Sequence, residues 1–147
     1  MFYAIRMLLA ALAAFSESSF VAATFATYGG SIGTFTLLFT LFSSGILYAA
    51  TAFLPSAVIM SFVMLALSAW MQRQYGLTIF HGCVAVLWSG WPFVGVLFVP
   101  LGVHMLWDCY TQRGVFGVAR LGAIGVCLLA LTGVSAGMID VHYYGKR

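Results

Sequence analysis

Gly90-Trp91-Pro92-Phe93 interrupts an apolar stretch that runs from Leu77 to Trp107 without a formal charge. One membrane crossing uses about 20 apolar residues, so this stretch is too long for one and too apolar for water. Proline has no N–H for a continuing helix and pushes the residue before it out of helical geometry. The stretch should therefore break there. At about 1.5 Å rise per residue, Leu77 to Trp91 gives roughly 22 Å of helix, and Phe93 to Trp107 gives about the same. Each is short against even a thin hydrocarbon core of about 27 Å. The reading is a tight helical hairpin with its turn at one membrane face, where tryptophan on either side suits the interfacial aromatic belt.

Working outward, the same device recurs. The apolar tract from Thr34 to Met71 is again too long for one span and again contains a proline, in Phe53-Leu54-Pro55-Ser56. Two spans follow. Before it, Tyr28-Gly29-Gly30-Ser31-Ile32-Gly33 reads as a turn, because glycine supplies backbone freedom at little steric cost. Phe2 to Thr27 is the first apolar run, broken only by Arg6 and by Ser16-Glu17-Ser18-Ser19. A cleaved leader is conceivable, with Ala11-Leu12-Ala13 as the cleavage site. Apolar residues resume from Phe20 to Phe25, which a leader does not require, so a retained span is favoured. Gln72-Arg73-Gln74-Tyr75-Gly76 leads into the central hairpin, and Asp108 to Arg120 is the polar stretch that ends it. Leu121 to Ile139 forms the last span, with Gly133 and Gly137 at a spacing that permits close helix approach.

The sum is an all-α polytopic transmembrane bundle of about six spans, read as a single module over residues 1–147. Composition agrees: 63% of residues are hydrophobic, 6% are charged, and the mean hydropathy is +1.07. Without a basic stripe, nucleic-acid binding is excluded as a reading. Cys83, Cys109 and Cys127 form neither an even disulfide framework nor a metal motif, so free thiols are expected. Six spans put the turns at Gly29–Gly33, Arg73 and Arg113 on one side. The Pro55 turn, the Trp91-Pro92 turn and the Asp140 end then lie on the other. Arg73, Arg113 and Arg120 share the first side, which the positive-inside rule makes cytosolic, although Arg6, Lys146 and Arg147 fall opposite.

The non-cytosolic face thus collects the two proline turns and Asp140-Val141-His142-Tyr143-Tyr144-Gly145-Lys146-Arg147. A phosphate at the membrane surface could be held there, with Lys146 as a point charge and His142, Tyr143 or Tyr144 as donors. The competing reading is a plain interfacial anchor. Glu17, near mid-depth, is either a ligand or proton group or a carboxylate satisfied by serines or a neighbouring backbone. His81 and His104 lack a carboxylate at metal-ligand spacing and read as satisfied interior side chains. Asp108 with Cys109 reads as a solvated helix end. No metal motif, phosphate loop or nucleophile elbow is present.

Ala52-Phe53-Leu54-Pro55-Ser56, Gly90-Trp91-Pro92-Phe93 and Ile139-Asp140-Val141-His142-Tyr143-Tyr144-Gly145-Lys146 resemble, in order and spacing, the dolichyl-phosphate-mannose-dependent α-1,2-mannosyltransferases of the asparagine-linked glycosylation pathway. Phe2-Tyr3-Ala4-Ile5-Arg6 with Glu17 is similar to the second transmembrane helix of that family, and the likeness covers nearly the whole chain. The resemblance implies a GT-C-like membrane module of the endoplasmic reticulum, multi-pass, with its active face luminal. It implies mannose transfer from dolichyl phosphate mannose to a lipid-linked oligosaccharide, inverting, with no cofactor and no metal. The glycosylphosphatidylinositol-anchor mannosyltransferases are an alternative within the family. Outside it stand a transporter subunit lined by Glu17 and a structural membrane subunit.

The family's catalytic acidic residues lie in a large first luminal loop that nothing here matches, and its C-terminal part is also unmatched. The resemblance therefore implies a central piece with no catalytic residue of its own and no transferase activity alone. Asp140, His142, Tyr143, Tyr144, Lys146 and Trp91 remain as substrate-binding candidates, with Asp140 expected to orient His142 or Lys146 near the donor phosphate. Glycosylation tags placed at Pro55 and at Lys146 should report the same, luminal side of the membrane. Tags reporting opposite sides would remove this arrangement.

Overall fold

Two glycines and one arginine decide where the described helices stop. The computed structural model describes residues 2–43, 55–88 and 92–145. The structure divides into two compact units, Met1–Gln74 and Tyr75–Arg147. Among the described residues the secondary structure is helical throughout, with turns between, and contains no strand.

In the first unit, α1 spans Phe2–Tyr28 and α2 spans Gly30–Phe42. The chain turns between them on Gly29 alone, at φ 87° and ψ 176°. That backbone conformation is open to glycine and costly to residues with a Cβ. The turn is shorter than the six-residue segment expected from the sequence, because one glycine suffices and Gly30 already begins the next helix. Gly33 is buried against the Phe25 ring, so any side chain at Gly33 would displace that ring. A third helix, α3, spans Pro55–Met71. Proline at a first helical position loses nothing, since that N–H has no intrahelical partner. The Phe53-Leu54 part of the expected turn, and Ala52 before it, lie outside the described residues.

α3 packs against α1 through small side chains. Ala13, Ser16, Ala23 and Thr24 are buried on α1, and Ser61, Ala66, Ser68 and Ala69 on α3. Small residues let backbones approach closely, which is how helices associate where lipid removes the hydrophobic drive. Ser68 Oγ crosses the interface and donates to the Ser19 carbonyl at 3.0 Å, while Gln72 Nε2 donates to Ser68 Oγ at 3.3 Å. α3 ends where Arg73 adopts φ 58°. The Gln74 N–H bonds the Ala69 carbonyl at 2.9 Å and the Arg73 N–H bonds the Trp70 carbonyl at 3.0 Å. This pair is the Schellman closure of a helix C-terminus, with arginine at the left-handed position that glycine ordinarily fills.

In the second unit, α4 spans Tyr75–Cys83 and widens directly into a π-helical stretch, Val84–Trp88. Residues 89–91 lie outside the described part, so the expected turn is seen only from Pro92 onward. Pro92–Val94 forms a 3₁₀ turn that leads into α5, Gly95–Tyr144. α4 and its π-helical extension pack against α5. α5 counts 50 residues in two helical parts, 95–113 and 115–144, of about 28 Å and about 45 Å against a hydrocarbon core of about 30 Å. It bends at Gly114, whose φ 62° and ψ −156° lie outside helical geometry. The sequence suggested a polar stretch from Asp108 to Arg120 between two spans. The break falls at Gly114, beside the turn expected at Arg113, and the polar residues on either side of it are helical.

Two helices, Phe2–Tyr28 and Gly95–Tyr144, are long and apolar enough to cross a membrane, and three further apolar helices are shorter. Large apolar side chains stand exposed along α5, with Phe116 at 91% and Trp107 at 70%. An apolar surface of that extent belongs against lipid or protein rather than water.

Because Arg73 holds a left-handed conformation that costs residues with a Cβ about 1 kcal/mol, Arg73→Gly should stabilise the first unit by up to roughly that amount. Thermal unfolding in detergent, followed by far-ultraviolet circular dichroism, would register a raised midpoint.

Candidate functional site

α5 delivers four of the six sequence-derived candidates to one place. Asp140, His142, Tyr143 and Tyr144 occupy its last turns, and the helix closes where the Gly145 N–H bonds the Val141 carbonyl at 2.9 Å. The sequence reading placed them past the end of the span, whereas the structure carries the helix through Tyr144. No proline or left-handed residue intervenes to stop it sooner. Helical spacing puts Tyr143 and Tyr144 on the same face as Asp140, three and four residues on, while His142 points away from it. The imidazole instead meets the Tyr143 ring edge to face, with centroids 5.5 Å apart.

All four side chains are exposed, and Tyr143 and Tyr144 are each 76% accessible. They form a polar, aromatic helix end rather than an enclosed cleft. A helix C-terminus is the negative pole of the backbone dipole, so an anion there depends wholly on side-chain donors. Trp91 and Lys146 lie outside the described residues.

The second unit holds two features that the sequence reading did not single out. One is polar. The Tyr75 hydroxyl donates to Asp108 Oδ2, and Gln112 Nε2 donates to Asp108 Oδ1 at 2.9 Å. Asp108, read from the sequence as a solvated helix end, is half-buried and ties the start of α4 to α5. A signal was present: Tyr75 and Asp108 are equally far along the chain from the Trp91-Pro92 step, which pairs them in an antiparallel hairpin.

The other feature is apolar. A groove of about 310 Å³ lies between α4 and α5, with Thr78, Gly82 and Cys83 on one side and Gly95, Phe98 and Met105 on the other. Glycine makes the groove: a Cβ on Gly82 would sit 3.3 Å from the Phe98 ring. Its volume falls at the lower end of the range for ligand pockets, and no charged residue lines it.

The remaining candidates are dispersed. Glu17 is half-buried midway along α1, and its neighbours Ser16 and Ser18 turn their hydroxyls to the Ala13 and Phe15 carbonyls of their own helix. His81 packs edge-on against Phe80, at 5.5 Å between centroids, while His104 is exposed. Among the described residues no three His, Cys, Asp or Glu side chains are grouped to hold a metal ion. Cys83 is buried, Cys109 half-buried and Cys127 exposed, all as free thiols.

An apolar, all-helical chain with membrane-length helices and interfacial polar ends has the makings of a membrane-embedded protein. The sequence profile of the Alg9-like mannosyltransferase family matches residues 1–147, and the chain belongs to that family. It is 32% identical to the alpha-1,2-mannosyltransferase Alg9 of Drosophila melanogaster over 99% of this chain and 22% of the relative. Identity to the Arabidopsis thaliana alpha-1,2-mannosyltransferase ALG9 is 30%, over 99% of this chain and 24% of the relative. The Caenorhabditis elegans alpha-1,2-mannosyltransferase algn-9 is 36% identical over 78% of this chain and 18% of its own length. The chain therefore spans about a fifth to a quarter of the relatives it matches. No solved structure matches it.

Since His142, Tyr143 and Tyr144 are exposed, replacing each by alanine should shift stability by no more than about 0.5 kcal/mol. Unfolding midpoints of the three variants should therefore stay close to that of the parent.

Proposed function

We propose that this chain forms part of the membrane module of an α-1,2-mannosyltransferase that moves mannose from dolichyl phosphate mannose to a lipid-linked oligosaccharide at the luminal face of the endoplasmic reticulum. The observation that carries this reading is the family match along residues 1–147, to relatives that are named alpha-1,2-mannosyltransferases. The reading also takes six crossings. α1 is one, and α2 belongs to another. α3 and the α4 helix with its π-helical extension supply two more, and the two parts of α5 on either side of Gly114 complete the set. Phe2–Tyr28 has the length of one crossing, while α5 has the length of two, with its only non-helical backbone between them.

The chemistry proposed is an inverting displacement. An acceptor hydroxyl oxygen attacks the anomeric carbon, the bond from that carbon to the donor phosphate breaks, and the hydroxyl proton passes to a carboxylate outside this chain. Two effects lower the barrier: removal of that proton and stabilisation of the charge gathering on the departing phosphate. This chain's share is the second. Lys146 would place an ammonium beside the phosphate, with Tyr143 and Tyr144, or else His142, as hydrogen-bond donors. Asp140 would orient the cation, and Trp91 would close the site from the hairpin turn.

The test is replacement of the matching segment in Drosophila Alg9 by residues 1–147, expressed in cells lacking their own enzyme. Extension of the lipid-linked oligosaccharide by a hexose, resolved by mass, would support the reading. Lys146→Ala in the active chimera should then raise the Michaelis constant for the donor or lower turnover. Unchanged values of both would remove Lys146 from the site.

A further inference from the structure

The hydrogen-bonded cluster of Tyr75, Asp108 and Gln112 sits at one end of the apolar groove. Thr78 follows Tyr75 by three residues on α4, and Met105 precedes Asp108 by three on α5, so each helix presents the polar residue and the groove-lining residue on one face. Both Thr78 and Met105 are buried where the groove ends. The polar tie is the next layer of the same interface, one helical turn beyond. It joins residues 33 apart in sequence, and both carboxylate oxygens of Asp108 accept a bond.

We infer that this cluster is a latch: it holds α4 against α5 and shuts that end of the groove. The groove walls touch only in places: the Phe98 ring packs over Gly82 and Val86 lies against Gly95, whereas nothing comes within 4 Å of a Cβ at Gly102, so apolar contact across the groove is incomplete and non-directional. Hydrogen bonds to an ionised acceptor are stronger than neutral ones, and they are directional where apolar contact is not. With the latch closed, the groove is a slot with one shut end. With it released, the two helices part and the groove opens along its length. This rests on contacts within the second unit and is independent of the proposed activity.

Cys83 is a built-in reporter, because it lines the groove and is buried, while Cys127 on α5 is exposed. The experiment is timed alkylation of the full-length chain in membranes with N-ethylmaleimide, with the Cys83 and Cys127 peptides quantified by mass spectrometry. Tyr75→Phe removes only the hydroxyl, and Asp108→Ala removes the acceptor. Each should raise the ratio of Cys83 to Cys127 alkylation rates about tenfold, the factor expected for losing a hydrogen bond to a charged group. The double variant should match the larger single effect, since both remove the same bond. Leu121→Ala, at a buried apolar site elsewhere on α5, serves as a control for general loosening. An unchanged ratio in Tyr75→Phe and Asp108→Ala would overturn the inference, as would an equal rise in Leu121→Ala or fully additive effects in the double variant.

Discussion

In surroundings that offer no water, every backbone N–H and C=O must find its partner within the protein, and this one constraint accounts for most of what the chain does. Its hydroxyl groups show the consequence. Thr24, Thr34, Thr36, Ser61 and Thr132 each return a hydrogen bond to the carbonyl four residues back on their own helix, at 2.7–3.2 Å. A hydroxyl satisfied in this way can face lipid without cost. Ser68 departs from the pattern by reaching across to Ser19, at the point where α1 and α3 lie close enough for it.

The same constraint decides where the chain may turn. Three described turns carry their own internal closure: the Gly29 N–H returns to the Phe25 carbonyl, Gln74 to Ala69, and Gly145 to Val141. Pro100 is the instructive exception. It lies inside α5 without an N–H to give, and the helix continues through it. A single missing donor is tolerated where the remaining ladder is intact, whereas ending the helix there would orphan several groups at once.

How much of this could be read from the sequence differs by element. The helical class, the first span and the stop at Arg73 were legible, and Pro55 was read as part of a turn between spans where the structure has it open α3. The break beside Arg113 was legible too, but the extent of helix on either side of it was not. Asp108, Arg113 and Arg120 looked like a loop by charge, but long side chains on a helix surface carry their heads outward without disturbing the backbone, and only Gly114 yields. The π-helical stretch at Val84–Trp88 left no sign in an ordinary apolar run. Of the candidate site, the sequence could place Asp140 to Tyr144 together because they are neighbours along the chain. The Tyr75–Asp108 tie was legible only through their equal distance from the Trp91-Pro92 step, and the sequence reading left Asp108 as a solvated helix end. The family assignment was legible for a different reason: it rests on short motifs kept in order over the whole chain, and on no pair contact.

The π-helical stretch has a geometric effect on the hairpin. A turn that takes up one extra residue re-phases everything after it by about 100° relative to an unbroken α-helix. The row of side chains that faces α5 from Tyr75 through Cys83 is therefore not the row that an α-helical projection would assign to Val86 and Leu87. A helical wheel drawn straight through this segment would put the wrong residues toward lipid, and the segment has to be treated as two short wheels set at an angle to each other.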